Sequence, residues 1–182
     1  MQICKRNKEM KKEIRIKLKE RAIALAKEPV EKDTSSANID VIAFTLGAEN
    51  YCIESVLVKE IYPLTDFTPL PGVSSYIFGI INVRGQILPV VDLKKFFNLP
   101  ERGLGELNKV IILSNEQMEF GILADAVHGT QTIDLEDIRG IPPTVSGIGE
   151  EYLKGVTKES LILLDAQRLL SDEHIVVNDE VN

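Results

Sequence analysis

The chain has 182 residues, 44% hydrophobic and 27% charged, with a net charge of −7; that is enough apolar material for one domain or for two small ones in contact. No apolar run approaches the roughly 20 residues that span a bilayer, and the basic start Met1-Gln2-Ile3-Cys4-Lys5-Arg6 leads into no apolar segment, so it does not read as a secretory signal. Residues 1–32 hold 11 of the 21 Lys and Arg but 5 of the 28 Asp and Glu, a balance of +6 that leaves −13 on the remainder, and such an acidic body repels phosphate backbones.

In chain order, residues 8–28 contain no Gly or Pro and are dense in Lys, Glu, Leu and Ala, which predicts a helix. Met10, Ile14, Leu18, Ala22 and Leu25 give it a narrow apolar stripe. Pro29 ends the pattern, and residues 1–38 read as a basic helical extension with its linker. The pattern then changes to short apolar runs at 41–46, 51–58, 77–83, 87–91, 110–113, 120–123 and 161–164, rich in Val and Ile and bounded by Gly, Pro, Asn and Asp. These predict strands of a mainly β domain over residues 39–173. Short helices are predicted at 93–98 and 166–172, and residues 174–182 read as a frayed tail.

The strands carry a faint internal repeat. Displaced by 69, Ile42, Phe44, Tyr51, Ile53 and Val58 meet Ile111, Leu113, Phe120, Ile122 and Val127. Further on, Gly79 corresponds to Gly155, and Asp92 with Phe96-Phe97 corresponds to Asp165 with Leu169-Leu170. The order never breaks, so the pattern predicts two halves of one topology, about 40–105 and 106–172. Closing each half into a small barrel would remove the unpaired edges of so short a sheet.

Motifs of chemistry are absent. Neither His128 nor His174 has a Cys or second His at ligand spacing, and Cys4 and Cys52 form no CxxC pair, which suits a reducing cytoplasm. Gly147-Ile148-Gly149 lacks the third glycine of a dinucleotide loop, and neither GxxxxGK[ST] nor GxSxG occurs. No cofactor, metal or catalytic residue is assigned.

The segment 78–93 predicts a hairpin in which strand 77–83 turns at Arg84-Gly85 and returns as 87–91. Gly85 supplies positive φ, Pro89 marks an edge or a bulge, and Asp92 caps the following helix. Arg84 lies at the turn beside Asn82 with no acidic neighbour in sequence, which leaves it open between a solvated turn arginine and a binding residue.

The string GIINVRGQILPVVDL resembles the G-x-x-N-x-R-G-x-x-x-P-V-x-D-L signature of CheW-type chemotaxis adaptor domains. Phe44-Thr45-Leu46-Gly47, Val58-Lys59-Glu60-Ile61, Gly121-Ile122-Leu123-Ala124-Asp125-Ala126-Val127 and Tyr152-Leu153-Lys154-Gly155-Val156 agree with it, so that the likeness covers about residues 40–173. It implies two five-stranded SH3-like barrels side by side around a shared hydrophobic centre. It also implies a non-enzymatic, cytoplasmic scaffold at the receptor array. The implied partners are the regulatory domain of a CheA-type histidine kinase and the cytoplasmic tip of methyl-accepting chemoreceptors. Val58, Glu60, Gly79, Asn82, Arg84 and Gly85 match the family's interaction surface and would lie mainly in the receptor-facing region, while the stretch from Gly121 to Val127 would face the kinase. Ala126 departs from the bulkier family pattern there. Two rivals remain at this level: a coupling protein for another chemosensory output, such as surface motility or gene regulation, and a β-barrel binder of nucleic acid or anionic membrane acting through the basic arm.

Overall fold

A computed structural model describes residues 37–100, 108–141, 148–172 and 175. The predicted helix at 8–28 lies outside these residues, as does all of the predicted tail except Ile175, which is buried. The described residues belong to the unit Ser36–Asn182.

Among the described residues ten strands occur: β1 Asn38–Leu46, β2 Glu49–Glu54, β3 Val58–Pro63, β4 Ile77–Val83, β5 Gln86–Val91, β6 Lys109–Ser114, β7 Glu119–Ala124, β8 Ala126–Asp134, β9 Leu153–Val156 and β10 Ile162–Leu164. Two four-residue helices, α1 Leu93–Phe96 and α2 Ala166–Leu169, follow β5 and β10. Each begins at an aspartate whose side chain accepts from a backbone N–H of the first turn, Asp92 from Lys94 and Asp165 from Arg168. The predicted run 51–58 is split by a 3-10 turn, Ser55–Leu57, beyond which β3 is a strand of its own.

The strands form two five-stranded sheets, in the orders β8-β1-β2-β10-β9 and β3-β6-β7-β5-β4. Replacing β1 to β5 by β6 to β10, and the reverse, converts one order into the other. The repeat read from the sequence is therefore a repeat of topology, and the pairing follows it: Phe44 opposes Tyr51 and Ile42 opposes Ile53, as Leu113 opposes Phe120 and Ile111 opposes Ile122. The sheets do not follow the sequence halves, however. Each takes strands from both, because the hairpin β1-β2 joins β8 to β10 and the hairpin β6-β7 joins β3 to β5.

The exchange explains why β1 and β6 read as continuous apolar runs. Side chains alternate between the faces of a strand, and both faces are buried here. Ile111, Leu113, Phe44 and Leu46 enter a central cluster shared by the sheets, with Phe120, Ile122 and Leu164. Val110 and Ile112 instead enter a second cluster with Ile81, Val83 and Leu88, and Val41 and Ala43 a third with Cys52 and Leu163. Each fully buried Leu, Ile or Phe contributes roughly 1.5–3 kcal/mol relative to exposure. Burial also pushes the Cys52 thiol up to about 12, so it behaves as a small apolar side chain.

Both sheets curl. In each, the chain leaving one edge strand bridges to the strand at the other edge: Thr68 pairs with Ile80, and Arg139 with Val156. Gly79 permits the first approach, because a Cβ there would stand 2.5 Å from the Thr68 carbonyl oxygen; Gly155, its repeat counterpart, would meet Arg139 at 2.4 Å. Pro89 lies on β5, which is an interior strand and not an edge. It is tolerated because the parallel pairing with β7 covers only Val90 and Val91.

Candidate protein-docking site

The hairpin β4-β5 turns in two residues, with φ of 51° at Arg84 and 91° at Gly85. Positive φ at both positions is the turn that matches strand twist, and Gly85 meets no steric cost in it. The Asn82 side chain closes the turn from within, its Oδ1 accepting from the Gly85 N–H at 2.8 Å.

Arg84 is not without a carboxylate. Its guanidinium lies 3.1 Å from Glu60 Oε2, although the two residues are 24 positions apart. Glu60 is on β3, at the opposite edge of the sheet from β4. Five strands at the usual spacing of about 4.8 Å would hold flat edges nearly 20 Å apart, so the curl of the sheet makes this ion pair. Arg84 remains 81% exposed while Glu60 is 23% exposed. The second carboxylate oxygen, Oε1, is buried and has no hydrogen-bond partner among the described residues. A buried acceptor left unsatisfied costs about 1–3 kcal/mol.

The structure thus joins Glu60, Asn82, Arg84 and Gly85 by direct contacts. Val58 begins β3 two residues before Glu60 and is half-buried opposite Leu113. Gly79 lies back in β4, where its role is the close approach to Thr68. Sequence reasoning missed Lys59, Gln86 and Glu119. Lys59 Nζ lies 2.7 Å from Glu119 Oε1, and the Gln86 amide donates to Glu119 Oε2 at 3.3 Å. The register shifts between Val58 and Glu60, and such a bulge re-aims the side chain at Lys59. Exposed apolar side chains accompany these polar ones: Ile61 on β3, Ile87 just beyond the turn, and Val56 before β3.

The stretch from Gly121 to Val127 presents little surface. Residues 121–124 are buried, and Ala126 and Val127 are half-buried. Asp125 turns inward, where its Oδ2 accepts from the Gly47 N–H at 2.7 Å and its Oδ1 pairs with Lys94. On the other sheet a groove of about 550 Å³ is lined by Ile141, Leu153, Lys154, Asp165 and Arg168 among others. Its cations are engaged already, Lys154 with Glu54 and Arg168 with the Glu151 carbonyl and Asp165.

A model of the CheW-like domain matches residues 40–174, which is most of the chain. The chain belongs to the CheW-like family. It is 34% identical to the chemotaxis protein CheW of Treponema pallidum over 142 residues, covering 74% of this chain and 84% of that one. The corresponding protein of Klebsiella aerogenes is 33% identical over 145 residues, covering 78% and 87%. Among solved structures, the scaffolding protein TtCheW of Thermoanaerobacter tengcongensis matches with a TM-score of 0.66 and 29% identity, covering 81% of this chain and 96% of that one. Membership of the CheW-like family gives the curled, doubled sheet architecture a setting in chemotaxis.

Proposed function

We propose that this chain is a non-enzymatic adaptor of bacterial chemotaxis that couples receptors to a CheA-type histidine kinase. In this reading both curled sheets are SH3-like barrels, supported by the Thr68–Ile80 and Arg139–Val156 bridges. The receptor tip docks on β3 and the β4-β5 hairpin, through Val58, Glu60, Asn82, Arg84 and Gly85, with Gly79 holding the strand close to Thr68. The kinase regulatory domain occupies another surface, and the adaptor works in the cytoplasm at the receptor array.

The observation that carries the site is the Glu60–Arg84 pair. An arginine on a tight turn, aimed by a partly buried carboxylate yet 81% exposed, presents directed donors that lysine cannot reproduce. Ile61 and Ile87 place apolar area along the same strand and hairpin, and an interface needs both kinds of contact. The test is binding of the purified protein to a kinase regulatory domain and to a receptor-tip fragment, each at near-physiological salt. Micromolar affinity or tighter is expected for a reversible contact of standard size. Arg84→Ala should weaken the receptor contact by roughly 1–3 kcal/mol, as for an interface hot spot. Failure of both fragments to bind the parent protein overturns the adaptor reading.

A further inference from the structure

Among the described strands the chain passes between the sheets twice, from β2 to β3 and from β7 to β8. The two crossings occupy corresponding places in the repeat, since Val56 displaced by 69 is Asp125, but they are built differently. The first is the 3-10 turn Ser55–Leu57, which has no buried residue and no side-chain cap, and Val56 is 83% exposed. The second is Asp125 alone, between Ala124 of β7 and Ala126 of β8.

Asp125 is gripped from both sides. From the sheet containing β1, the Thr45 carbonyl accepts its N–H at 3.0 Å and the Gly47 N–H donates to Oδ2. From the other sheet, Lys94 of α1 pairs with Oδ1, and Asn108, just before β6, donates to Oδ1 at 3.4 Å and to the Ala124 carbonyl at 3.2 Å. The Lys94 side chain is only 2% exposed, and a buried ammonium is retained only where it is paired. The repeat counterpart of Lys94 is Gln167, which is exposed, so among the described residues the first crossing has no such grip.

We propose that the Asp125–Lys94 pair is a positioning device that fixes the angle between the two sheets, with Ser55–Leu57 as the yielding crossing. Its consequence for coupling, that it sets the geometry in which receptor and kinase are held together, rests on the adaptor reading. The angle itself does not.

The test uses the full chain carrying Lys94→Met and Asp125→Asn together, which removes both charges and keeps an acceptor for the Gly47 N–H. Replacing a buried ion pair by neutral groups of similar volume is often close to neutral for stability, whereas Lys94→Met alone should lower Tm by about 10 °C. Spin labels on Gln131→Cys in β8 and Glu116→Cys in the β6-β7 turn, in a Cys4→Ser background, read the distance between sheets by pulsed dipolar spectroscopy. The double variant should melt cooperatively yet show a broadened or shifted distance distribution; a distribution identical to that of the parent overturns the proposal. If the double variant does not fold, Asp125→Asn alone is read by the same criterion. A second arm measures how much bound receptor fragment raises affinity for the kinase domain, a factor expected to fall at least about fivefold in the variant. Absence of any fragment binding by the parent protein bears on the adaptor reading only, and leaves the distance measurement to decide the sheet angle.

Discussion

At the scale of single residues, the hairpin separates glycines by what each is for. Gly85 sits at φ 91° with no described residue near the place of a Cβ, so Gly85→Ala should cost about 1 kcal/mol through backbone strain alone. At Gly79 the added carbon meets the Thr68 carbonyl at 2.5 Å, and Gly79→Ala should cost about 2 kcal/mol or more, because the Thr68–Ile80 bridge must open. Urea unfolding of the two variants gives the comparison; equal losses would mean that the bridge contributes nothing. Arg84→Ala should cost less than about 1 kcal/mol, the usual value of an exposed pair. The hairpin, its turn and its Asn82 and Arg84 were legible in the sequence, because a two-residue turn is a local decision. The Glu60 contact was not, because it depends on how far a five-stranded sheet curls. Lys59 and Glu119 escaped for a related reason, since a bulge at Lys59 leaves no mark in its sequence.

At the scale of elements, α1 and α2 are each too short to stand on intrinsic helix stability, so their caps matter. Asp165→Ala should destabilise by about 1 kcal/mol, measurable as a lowered urea midpoint. Asp92 makes the same cap under different electrostatics. Burial pushes its carboxyl above the ordinary range, against the opposing pull of Lys94, and nearby Asp125 adds to the rise. A carboxyl with a raised folded value holds its proton more tightly when folded. Its contribution therefore favours the fold at low pH and is lost as pH rises through that value. Asp92→Asn keeps the acceptor for the Lys94 N–H and removes this loss. The Tm of the variant minus that of the parent should accordingly increase from about pH 4 towards neutrality, and a flat difference would contradict the assignment. Both helices and most strands could be read from the sequence. Those that could not were β8, whose exposed middle Thr130-Gln131-Thr132 lacks an apolar face, and β9, only four residues long. The third was β3, which merges with the preceding apolar run.

For the whole molecule, the repeat could be read but the partnership of its halves could not. Registers such as Phe44 opposite Tyr51 arise within a hairpin, whereas β2 accepting β10 instead of β5 is a choice between distant segments with similar apolar faces. The exchange has a direct test. Fragments 38–105 and 106–175 each lack strands that complete both sheets, so each alone should show little fixed tertiary structure by near-ultraviolet circular dichroism. Mixed and refolded together they should recover the spectrum of the intact unit. Two fragments that fold independently would mean that the observed strand order is not the one the chain prefers.

The same strand order sets a timetable for a chain emerging from the ribosome. The sheet that uses β3 to β7 has all its strands once Ala124 is out, although it began later. The hairpin β1-β2, made first, waits for Leu164, about 40 residues further, or roughly 2–8 s at ordinary synthesis rates. During that interval Phe44, Tyr51 and Ile53 are without the β10 side of their sheet, and the strands made first are the ones left longest with an open edge, the exposure that favours aggregation during synthesis.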